Sequence, residues 1–492
     1  MEVHTNSPEN EPITENKDLN IWEALIPVIA LIAMLAFNVF VFGDDALGGS
    51  NQFILLLGGA VAAIVGYFNK VKYNKMIDEV ANNVQSTTGA ILILLLVGSL
   101  AGTWMISGII PTMIYYGLQI LNPTIFLAAC VIICSVISIA TGSSWTTSAT
   151  VGIALIGIAE ALGISVGMTA GAILSGAYFG DKLSPLSDTT NLAPAMAGTD
   201  LFTHIRYMAL TTVPTIAITI LIFIIIWLNL DVSGNTDTSA ILLSIESSFT
   251  ISPWLFVVPL VVILLIIKKT SPLIALLIGT LMGAGAALIF QPGIVAQIAG
   301  VTNLDFISGY RGIMQAITVE TSVVTDNEDL NDLFSAGGMA GMLGTIWLII
   351  CAMVFGGIME AIGALATISR ALLNMFHTTF GLFASTVFSC LALNATASDQ
   401  YLAIVVPGKM FAKAYKDKGL APENLSRTLE DSGTVTSVLV PWNTCGAYHS
   451  GVLGVPTLTY AGYAFFNYLS PFMTLLFAAF SIKIKQLSTK TA

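Results

Sequence analysis

Two polar interruptions inside long apolar runs constrain the fold of this chain more than any other feature. The first is Thr141-Gly-Ser-Ser-Trp-Thr-Thr147, and the Gly- and Pro-containing stretch 180–191 follows it further along the chain. Weaker copies of the two stretches recur at 394–400 and 441–446. Because lipid hydrocarbon cannot hydrogen-bond to exposed backbone, non-helical polar backbone at membrane depth must line a cavity enclosed by protein. Paired interruptions in corresponding positions of two halves are typical of the binding site of a secondary transporter.

The composition places the chain in a membrane. Of its 492 residues, 55% are hydrophobic and only 10% are charged, whereas a soluble domain carries about 25% charged residues. The apolar segments predict an all-α, polytopic protein with about 10–14 helical segments, since one helical span needs about 20 apolar residues. The cysteines lie in or beside apolar stretches and indicate no disulfide framework.

The same segments predict a division of the chain into successive regions. These are an N-terminal tail at 1–20, a first transmembrane half at 21–230, connecting segments and intervening helices at 231–340, a second transmembrane half at 341–482 and a C-terminal tail at 483–492. Within the second half, 342–373 is expected to form one long helix of a static scaffold.

Basic residues near the ends of the apolar segments predict the orientation, because loops rich in Lys and Arg stay in the cytoplasm. The residues that decide it are Lys70, Lys72, Lys75, Lys268, Lys269, Lys483, Lys485 and Lys490. The loop from Gly43 to Asn51 contains no basic residue and is expected outside. Both termini are therefore expected in the cytoplasm of a multi-pass cell-membrane protein. The net charge of −11 lies largely in tails and loops and indicates no nucleic-acid partner.

Motifs of intramembrane enzymes and ATP-driven pumps are missing. The sequence has no Gly-x-Ser-x-Gly elbow, no His-Glu-x-x-His pair and no Walker-type phosphate loop. We therefore expect no enzyme activity and no cofactor.

The first interruption offers backbone carbonyls and hydroxyls that suit a hard cation such as sodium. The candidate ligands are Thr141, Gly142, Ser143, Ser144 and Thr147. The same interruption exposes helix N-terminal amides, which favour an anion such as a carboxylate. The residues are therefore compatible with an ion site, an anion site or both; a polar kink packed against a neighbouring helix is the structural alternative.

The stretch that follows contributes carboxylates. Asp188 lies within Ser187-Asp-Thr189 and is followed by Asn191. A carboxylate in the membrane interior is costly unless it is paired, protonated or ion-bound. Desolvation makes a carboxylate hold a proton more tightly, so one acidic site can exchange a proton for sodium. Asp181 is a proton-linked candidate, with Lys182 as the local counter-charge, although it can equally be a helix-end residue at the membrane interface.

The second half contains a matching set of oxygen-bearing side chains. Its members are Asn394, Thr396, Ser398, Asp399, Asn443 and Thr444. We predict that Asp188, Asp399 and Asn394 bind the sodium ion. Glu360 and Asp431 are further proton-linked candidates, because an acid inside an apolar segment indicates function by default. For Glu430 and Asp431, a solvated helix end near Arg427 is the alternative.

Three stretches resemble the NhaC-type sodium/proton antiporter family. They are Phe179-Gly-Asp-Lys-Leu-Ser-Pro-Leu-Ser-Asp-Thr-Thr-Asn-Leu-Ala-Pro194, Leu429-Glu-Asp-Ser-Gly-Thr-Val-Thr-Ser437 and Val440-Pro-Trp-Asn-Thr-Cys-Gly446. The resemblance implies exchange of sodium for protons across the cell membrane. It also implies two inverted repeats, each with a re-entrant hairpin and an interrupted helix, in a homodimer that moves as an elevator. The hairpin tips then fall at 141–147 and 394–400, and the interrupted helices at 181–191 and 431–444.

The family also includes relatives that exchange malate for lactate with coupled ions. A sodium- or proton-coupled organic-anion exchanger is therefore the alternative function. The scarcity of basic residues near the interruptions argues against a dicarboxylate, which usually binds an Arg. Amides at the hairpin tips can replace that Arg, so the sequence leaves both cargoes open.

Overall fold

The structure is a computed structural model that describes residues 19–42, 48–120, 125–229, 238–268, 270–323, 334–375 and 378–487. Helices dominate this part of the chain. The two strands within it, β1 (Thr321–Ser322) and β2 (Ser335–Ala336), form one antiparallel pair. The predicted all-α class is confirmed.

The first helices lead to a hairpin and an interrupted helix. They are α1 (Ile21–Phe42), α2 (Ser50–Phe68), α3 (Tyr73–Ser86), α4 (Thr88–Ile106), α5 (Ile109–Ile120), α6 (Phe126–Thr141), α7 (Ser144–Thr147), a π-helical turn (Ser148–Gly152), α8 (Ile153–Ala161), α9 (Val166–Leu183) and α10 (Asp188–Ala197). The connecting region comprises α11 (Leu201–Asn229), α12 (Thr238–Ser248), a 3-10 turn (Pro253–Phe256), α13 (Val257–Ile267), α14 (Pro272–Phe290), α15 (Pro292–Ile298), α16 (Phe306–Thr318) and the strand pair.

The remaining helices repeat the succession of hairpin and interrupted helix. They are α17 (Gly338–Gly341), α18 (Leu343–Ala361), α19 (Ala364–Met375), α20 (Thr379–Thr396), α21 (Gln400–Asp417), α22 (Pro422–Leu429), a π-helical turn (Glu430–Thr434), a 3-10 turn (Ser437–Leu439), α23 (Thr444–Leu453), α24 (Thr457–Ala461) and α25 (Phe465–Ala479). In each half, two helical arms meet at a non-helical tip, and a helix then breaks and resumes. The inverted relation of the two halves and the region boundaries stay predictions.

Membrane spans account for much of the described chain. By length and composition, seven of its helices can cross a membrane, or up to eight if the bent pair Ile241–Ser248 and Pro253–Ile267 counts as one span. Large apolar side chains such as Phe40 and Ile289 are exposed, as expected of a helix surface that faces lipid. The predicted polytopic membrane protein is confirmed.

Two long apolar segments each form two helices rather than one. The segment 89–120 breaks between α4 and α5 at Gly108, and 342–373 breaks between α18 and α19 at Gly363. Both glycines have a φ of 78°, which ends a helix in the left-handed conformation. The expected single helix over 342–373 is therefore wrong, because hydrophobicity alone does not register a glycine break.

Close packing of α6 against α9 positions the first tip. A Cβ at Gly176 would lie 2.2 Å from the Val131 carbonyl oxygen, and one at Gly180 would lie 2.5 Å from the Ser135 carbonyl oxygen. Small residues at this four-residue spacing let two backbones approach each other. As a result, the tip that follows α6 lies beside the C-terminal end of α9.

Candidate functional site

A cavity of about 660 Å³ lies where the two tips meet the two interrupted helices. The predicted site residues in its wall are Thr141, Gly142, Ser143, Asp181, Ser187, Asp188, Thr189, Asn191, Asp399 and Thr444. Pockets of about 300–1,000 Å³ typically hold small molecules. The cavity therefore has room for a hydrated ion or for a small organic molecule.

Asp181 fixes the first tip to the end of α9. The backbone N–H and the hydroxyl of Ser144 both donate to Asp181 Oδ2, at 3.1 and 2.7 Å. Gly142 permits the close approach, because its φ is 71° and a Cβ there would lie 2.5 Å from Leu186 Cβ. Asp181 thus satisfies an N-terminal amide of α7 while it forms part of the cavity wall, and Ser144 lies behind it rather than in the wall.

Asp188 is the most accessible of the cavity carboxylates. It is exposed in the wall, whereas Asp181 and Asp399 are only 8% and 5% exposed. As the first residue of α10 it lies at a helix N-terminus, where the helix dipole favours a negative charge. Asn191 Nδ2 donates to the carbonyl oxygens of Pro185 and Ser187, at 3.0 and 2.7 Å. These bonds fix the non-helical turn that presents Asp188.

Asp399 is the corresponding carboxylate of the second tip. It caps α21, because its Oδ1 accepts hydrogen bonds from the N–H groups of Tyr401 and Leu402, at 2.8 and 3.1 Å. The tip is also held by the start of α23: the Thr444 N–H donates to the Ser398 carbonyl oxygen at 2.9 Å. Ser398 adopts a φ of 59°, which is rare for a residue other than glycine.

Several other predicted ligands brace the tips and lie outside the cavity wall. Asn394 Nδ2 donates to the Gly433 carbonyl oxygen at 2.7 Å and to Thr436 Oγ1 at 3.0 Å. Asn443 Nδ2 donates in turn to the Asn394 carbonyl oxygen at 3.0 Å. The hydroxyls of Thr147 and Thr396 bond to backbone within their own arms. These hydrogen bonds stabilise the tips in the state described here, and a role of Asn394 as a sodium ligand stays a prediction.

The wall of the cavity is acidic. It carries the three carboxylates of Asp181, Asp188 and Asp399, and its described residues include no Lys, Arg or His. Nowhere in the described chain, the cavity wall included, do three or more His, Cys, Asp or Glu side chains cluster closely enough to hold one metal ion. The carboxylates therefore lie at separate positions in the wall, which attracts cations and repels anions.

Comparison with known proteins identifies the family. A model described as the Na⁺/H⁺ antiporter family matches residues 176–482. The Na⁺/H⁺ antiporter NhaC of Alkalihalophilus pseudofirmus is 37% identical over 424 residues, which cover 86% of this chain and 89% of that protein. NhaC of Bacillus subtilis is 35% identical over 403 residues, covering 82% and 85%. This chain belongs to the Na⁺/H⁺ antiporter family, as an NhaC-type member.

A relative with another cargo is also similar. The malate-2H⁺/Na⁺-lactate antiporter of Bacillus subtilis is 35% identical over 465 residues, which cover 94% of this chain and 93% of that protein. These relatives are all antiporters by name. Family membership therefore leaves the cargo of this NhaC-type antiporter to be argued from its cavity.

A buried ion pair connects the two halves of this antiporter. Lys182 Nζ forms an ion pair with Asp431 Oδ1, and both side chains are at most 1% exposed. Asp431 Oδ2 accepts hydrogen bonds from the hydroxyls of Thr211, at 2.8 Å, and of Thr474. The expectation that Lys182 balances its neighbour Asp181 is therefore wrong, and Asp431 lies in this pair rather than in the cavity wall.

Glu360 also lies outside the wall. Its Oε2 accepts a hydrogen bond from Asn83 Nδ2 at 3.0 Å, which links α18 to the end of α3. The carboxyl lies within electrostatic range of Asp399. A proton-linked role for Glu360 stays a prediction.

Aromatic residues of the wall went unrecognised in the sequence. Trp145 of the first tip stacks on Tyr448 of α23, with ring centroids 3.9 Å apart and an interplanar angle of 19°. Tyr448 also donates to the Trp145 carbonyl oxygen at 3.1 Å. Tyr401 adds a third ring to the wall. The position of Trp145 inside the polar interruption was the available signal for this contact.

Proposed function

We propose that this protein exchanges sodium ions for protons across the cell membrane, with the acidic cavity as its ion site. The observation that carries the proposal is the cavity wall itself, in which three carboxylates face no described basic residue. Such a site attracts cations to its carboxylates. Sodium and protons then compete for the same carboxylates, which is the simplest physical basis of antiport.

The proposed sodium ligands belong to both halves. Asp188 is the carboxylate that an entering ion meets first, since it is the most exposed of the three. The hydroxyls of Ser187 and Thr189 lie beside it, and the second half contributes Asp399 and Thr444 to the wall. Asn394 supports the second tip from behind through Gly433. Alternating access then moves one unit that contains both tips against a scaffold.

The direction of the opening follows from the basic residues. The cavity wall includes Ser86, Thr87, Gly89 and Ala90, where α3 ends and α4 begins, and 270–272, at the start of α14. Lys268 lies two residues before the second of these stretches and marks a cytoplasmic loop by the rule for basic residues. We therefore propose that this state opens to the cytoplasm, where both termini also lie. Homodimer formation and elevator movement remain predictions from the family resemblance.

A carboxylate cargo is the second candidate, and the malate- and lactate-exchanging relative together with the size of the cavity favours it. The helix N-termini at the interruptions argue against it, because side chains of the protein already occupy their amides. The Ser144 N–H donates to Asp181, the Thr190 N–H to Ser187, the Tyr401 and Leu402 N–H groups to Asp399, and the Cys445 N–H to Asn443. Few backbone N–H groups at these helix N-termini remain to donate to an organic anion, and the carboxylates of the wall repel an anion.

Transport in proteoliposomes tests the proposal. An imposed sodium gradient should drive proton movement, read from a pH-sensitive dye inside the vesicles, and empty liposomes provide the control. Saturable counterflow of labelled malate or lactate, with no proton flux driven by sodium alone, would replace sodium/proton exchange with the organic-anion function.

A further inference from the structure

Glu430 is a buried acid that the proposed ion site does not use. It is the first residue of the π-helical turn Glu430–Thr434, at the point where the second interrupted helix departs from α-helical geometry. The residue is 0% exposed, and neither carboxyl oxygen has a hydrogen-bond partner among the described residues. The hydroxyl of Thr434 approaches the carboxyl without reaching hydrogen-bond geometry. Single π-helical turns occur frequently at functional sites.

The charges around Glu430 come from both halves. Lys182 and Asp181 of α9 lie within electrostatic range, as does its neighbour Asp431. Lys182 is already paired with Asp431. Arg427, one turn earlier, faces the rings of Tyr207 and Phe477 instead. Among the described residues, Glu430 therefore has no cation of its own.

The other described elements packed against this turn add no charge that pairs with Glu430, and Lys409 and Lys413 of α21 are exposed. Helix α20 brings Cys390 next to Ser432, and α25 directs Thr474 to Asp431. His204 of α11 lies near Lys182 and Asp431. The acids at the starts of α10 and α21, Asp188 and Asp399, belong to the cavity wall.

An unpaired carboxylate in this position destabilises the folded protein, because burial removes its hydration and no hydrogen bond or counter-charge replaces the lost water. Glu430 must therefore hold a proton while Lys182 stays with Asp431. If the proton leaves, the new carboxylate competes with Asp431 for Lys182. Lys182 directly follows Asp181, which lines the cavity. A change of proton occupancy at Glu430 therefore affects the ion site through the adjacent residues Lys182 and Asp181.

We propose that Glu430 carries a proton of the sodium/proton exchange, with Lys182 as the counter-charge that its carboxylate recruits. In the step, the Glu430 O–H bond breaks, the proton passes to water in the cavity by way of the Asp181 side, and the carboxylate remains balanced by Lys182. Asp431 then keeps the two hydroxyl bonds from Thr211 and Thr474. Sodium occupies the acidic wall as the proton leaves. The inference deepens the proposed function and depends on it.

A purely structural role makes a different prediction. If Glu430 only fills space as a neutral acid, Glu430→Gln preserves its volume and polarity and leaves transport unaltered. If it carries a proton, the amide cannot release one. The matched control is Glu423→Gln. Glu423 is also buried, but it lies at the start of α22 and forms an ion pair with Lys485.

The experiment measures protons released when sodium chloride is added to the purified, full-length protein in weakly buffered detergent, beside sodium-driven proton flux in proteoliposomes. For Glu430→Gln we expect the number of protons released per protein to fall by about one. We also expect sodium-driven proton flux to fall and the pH dependence of the remaining flux to flatten, while Glu423→Gln behaves like the wild type. Wild-type proton release and an unchanged pH profile in Glu430→Gln would overturn the inference.

Two further measurements distinguish a folding defect of the variant from a failure of the proposed function. If Glu430→Gln does not fold, Glu430→Asp takes its place: a displaced pH profile supports the proposal, and an unaltered profile overturns it. A wild-type protein without sodium-driven proton flux refutes the proposed function itself. A wild-type protein that exchanges normally, beside a variant that does the same, refutes only the role of Glu430.

Discussion

The ion pair between Lys182 and Asp431 gives the sharpest test of how the two halves hold together. Both side chains are at most 1% exposed, so replacing one leaves the other charged group buried without its partner. We consider Lys182→Met, Asp431→Asn and the double variant. The Asn side chain keeps a carbonyl oxygen for the hydroxyls of Thr211 and Thr474, so the double variant removes the ionic interaction with little loss of hydrogen bonding.

The magnitude follows from burial. Removing one partner of a buried ion pair costs about 3–5 kcal/mol, because the remaining charge is uncompensated. Replacing both partners with groups of similar volume is often neutral or even stabilising. Lys182→Met should therefore lose about 3–5 kcal/mol, and Asp431→Asn somewhat less, because Glu430 can release its proton and pair with Lys182. The double variant should be more stable than either single variant. The coupling energy of the cycle should exceed the roughly 0.5 kcal/mol scatter of independent sites.

Thermal unfolding in detergent at one fixed heating rate measures the effect, since irreversible unfolding makes the midpoint depend on the scan rate. We expect both single variants to unfold well below the wild type and the double variant to recover most of the difference. A double variant as unstable as the two single changes added together would refute the reasoning. It would mean that the two charges do not depend on each other.

Further predictions concern the second tip, the packing of α9 and the cavity mouth. Asp399→Asn keeps the helix cap and removes the charge, so stability should hold while sodium-driven proton flux is lost; Asp399→Ala should in addition lose about 0.5–2 kcal/mol of stability. Gly180→Ala places a Cβ 2.5 Å from the Ser135 carbonyl oxygen, and overpacking of this kind should cost about 1–3 kcal/mol in thermal unfolding. In Ser271→Cys, the new thiol should react with a membrane-impermeant thiol reagent in everted vesicles, where the cytoplasmic side faces the reagent. The same thiol should stay unlabelled in right-side-out vesicles if the cavity opens to the cytoplasm. Labelling of Ser271→Cys only in right-side-out vesicles would show that the cavity opens to the outside instead.

The positions of both interruptions could be predicted from the sequence because the signal is local. Lipid leaves polar, glycine-containing backbone no other place than a cavity, so the stretches around Thr141 and Asp399 were readable without any structure. The acids next to them, Asp181 and Asp188, follow by the same argument. The structure places all four in one wall.

Partnerships across the two halves could not be predicted. Lys182 pairs with Asp431, 249 residues away, rather than with its neighbour Asp181, and only tertiary packing decides between the two acids. Asn394 has the chemistry of a ligand, but its amide turns toward Gly433 and Thr436. Residue type indicates which atoms can bind an ion, whereas the direction of a side chain depends on what packs around it.

Helix breaks at single glycines were equally invisible. Gly108 and Gly363 lie in runs whose hydrophobicity continues on both sides, and only their positive φ reveals the break. The amphipathic helix α3 lies after the second span, where the lysines indicated only a loop. It ends at Ser86, where the cavity wall begins.

The central claim is that the carboxylates of this cavity exchange sodium for protons, and Asp188 is the most exposed of them. The most direct test is sodium-driven proton movement in everted membrane vesicles, measured for the wild type and for Asp188→Asn at equal expression. We expect robust exchange by the wild type and no sodium-dependent exchange by the variant. Exchange by Asp188→Asn with unaltered rate and sodium dependence would contradict the account.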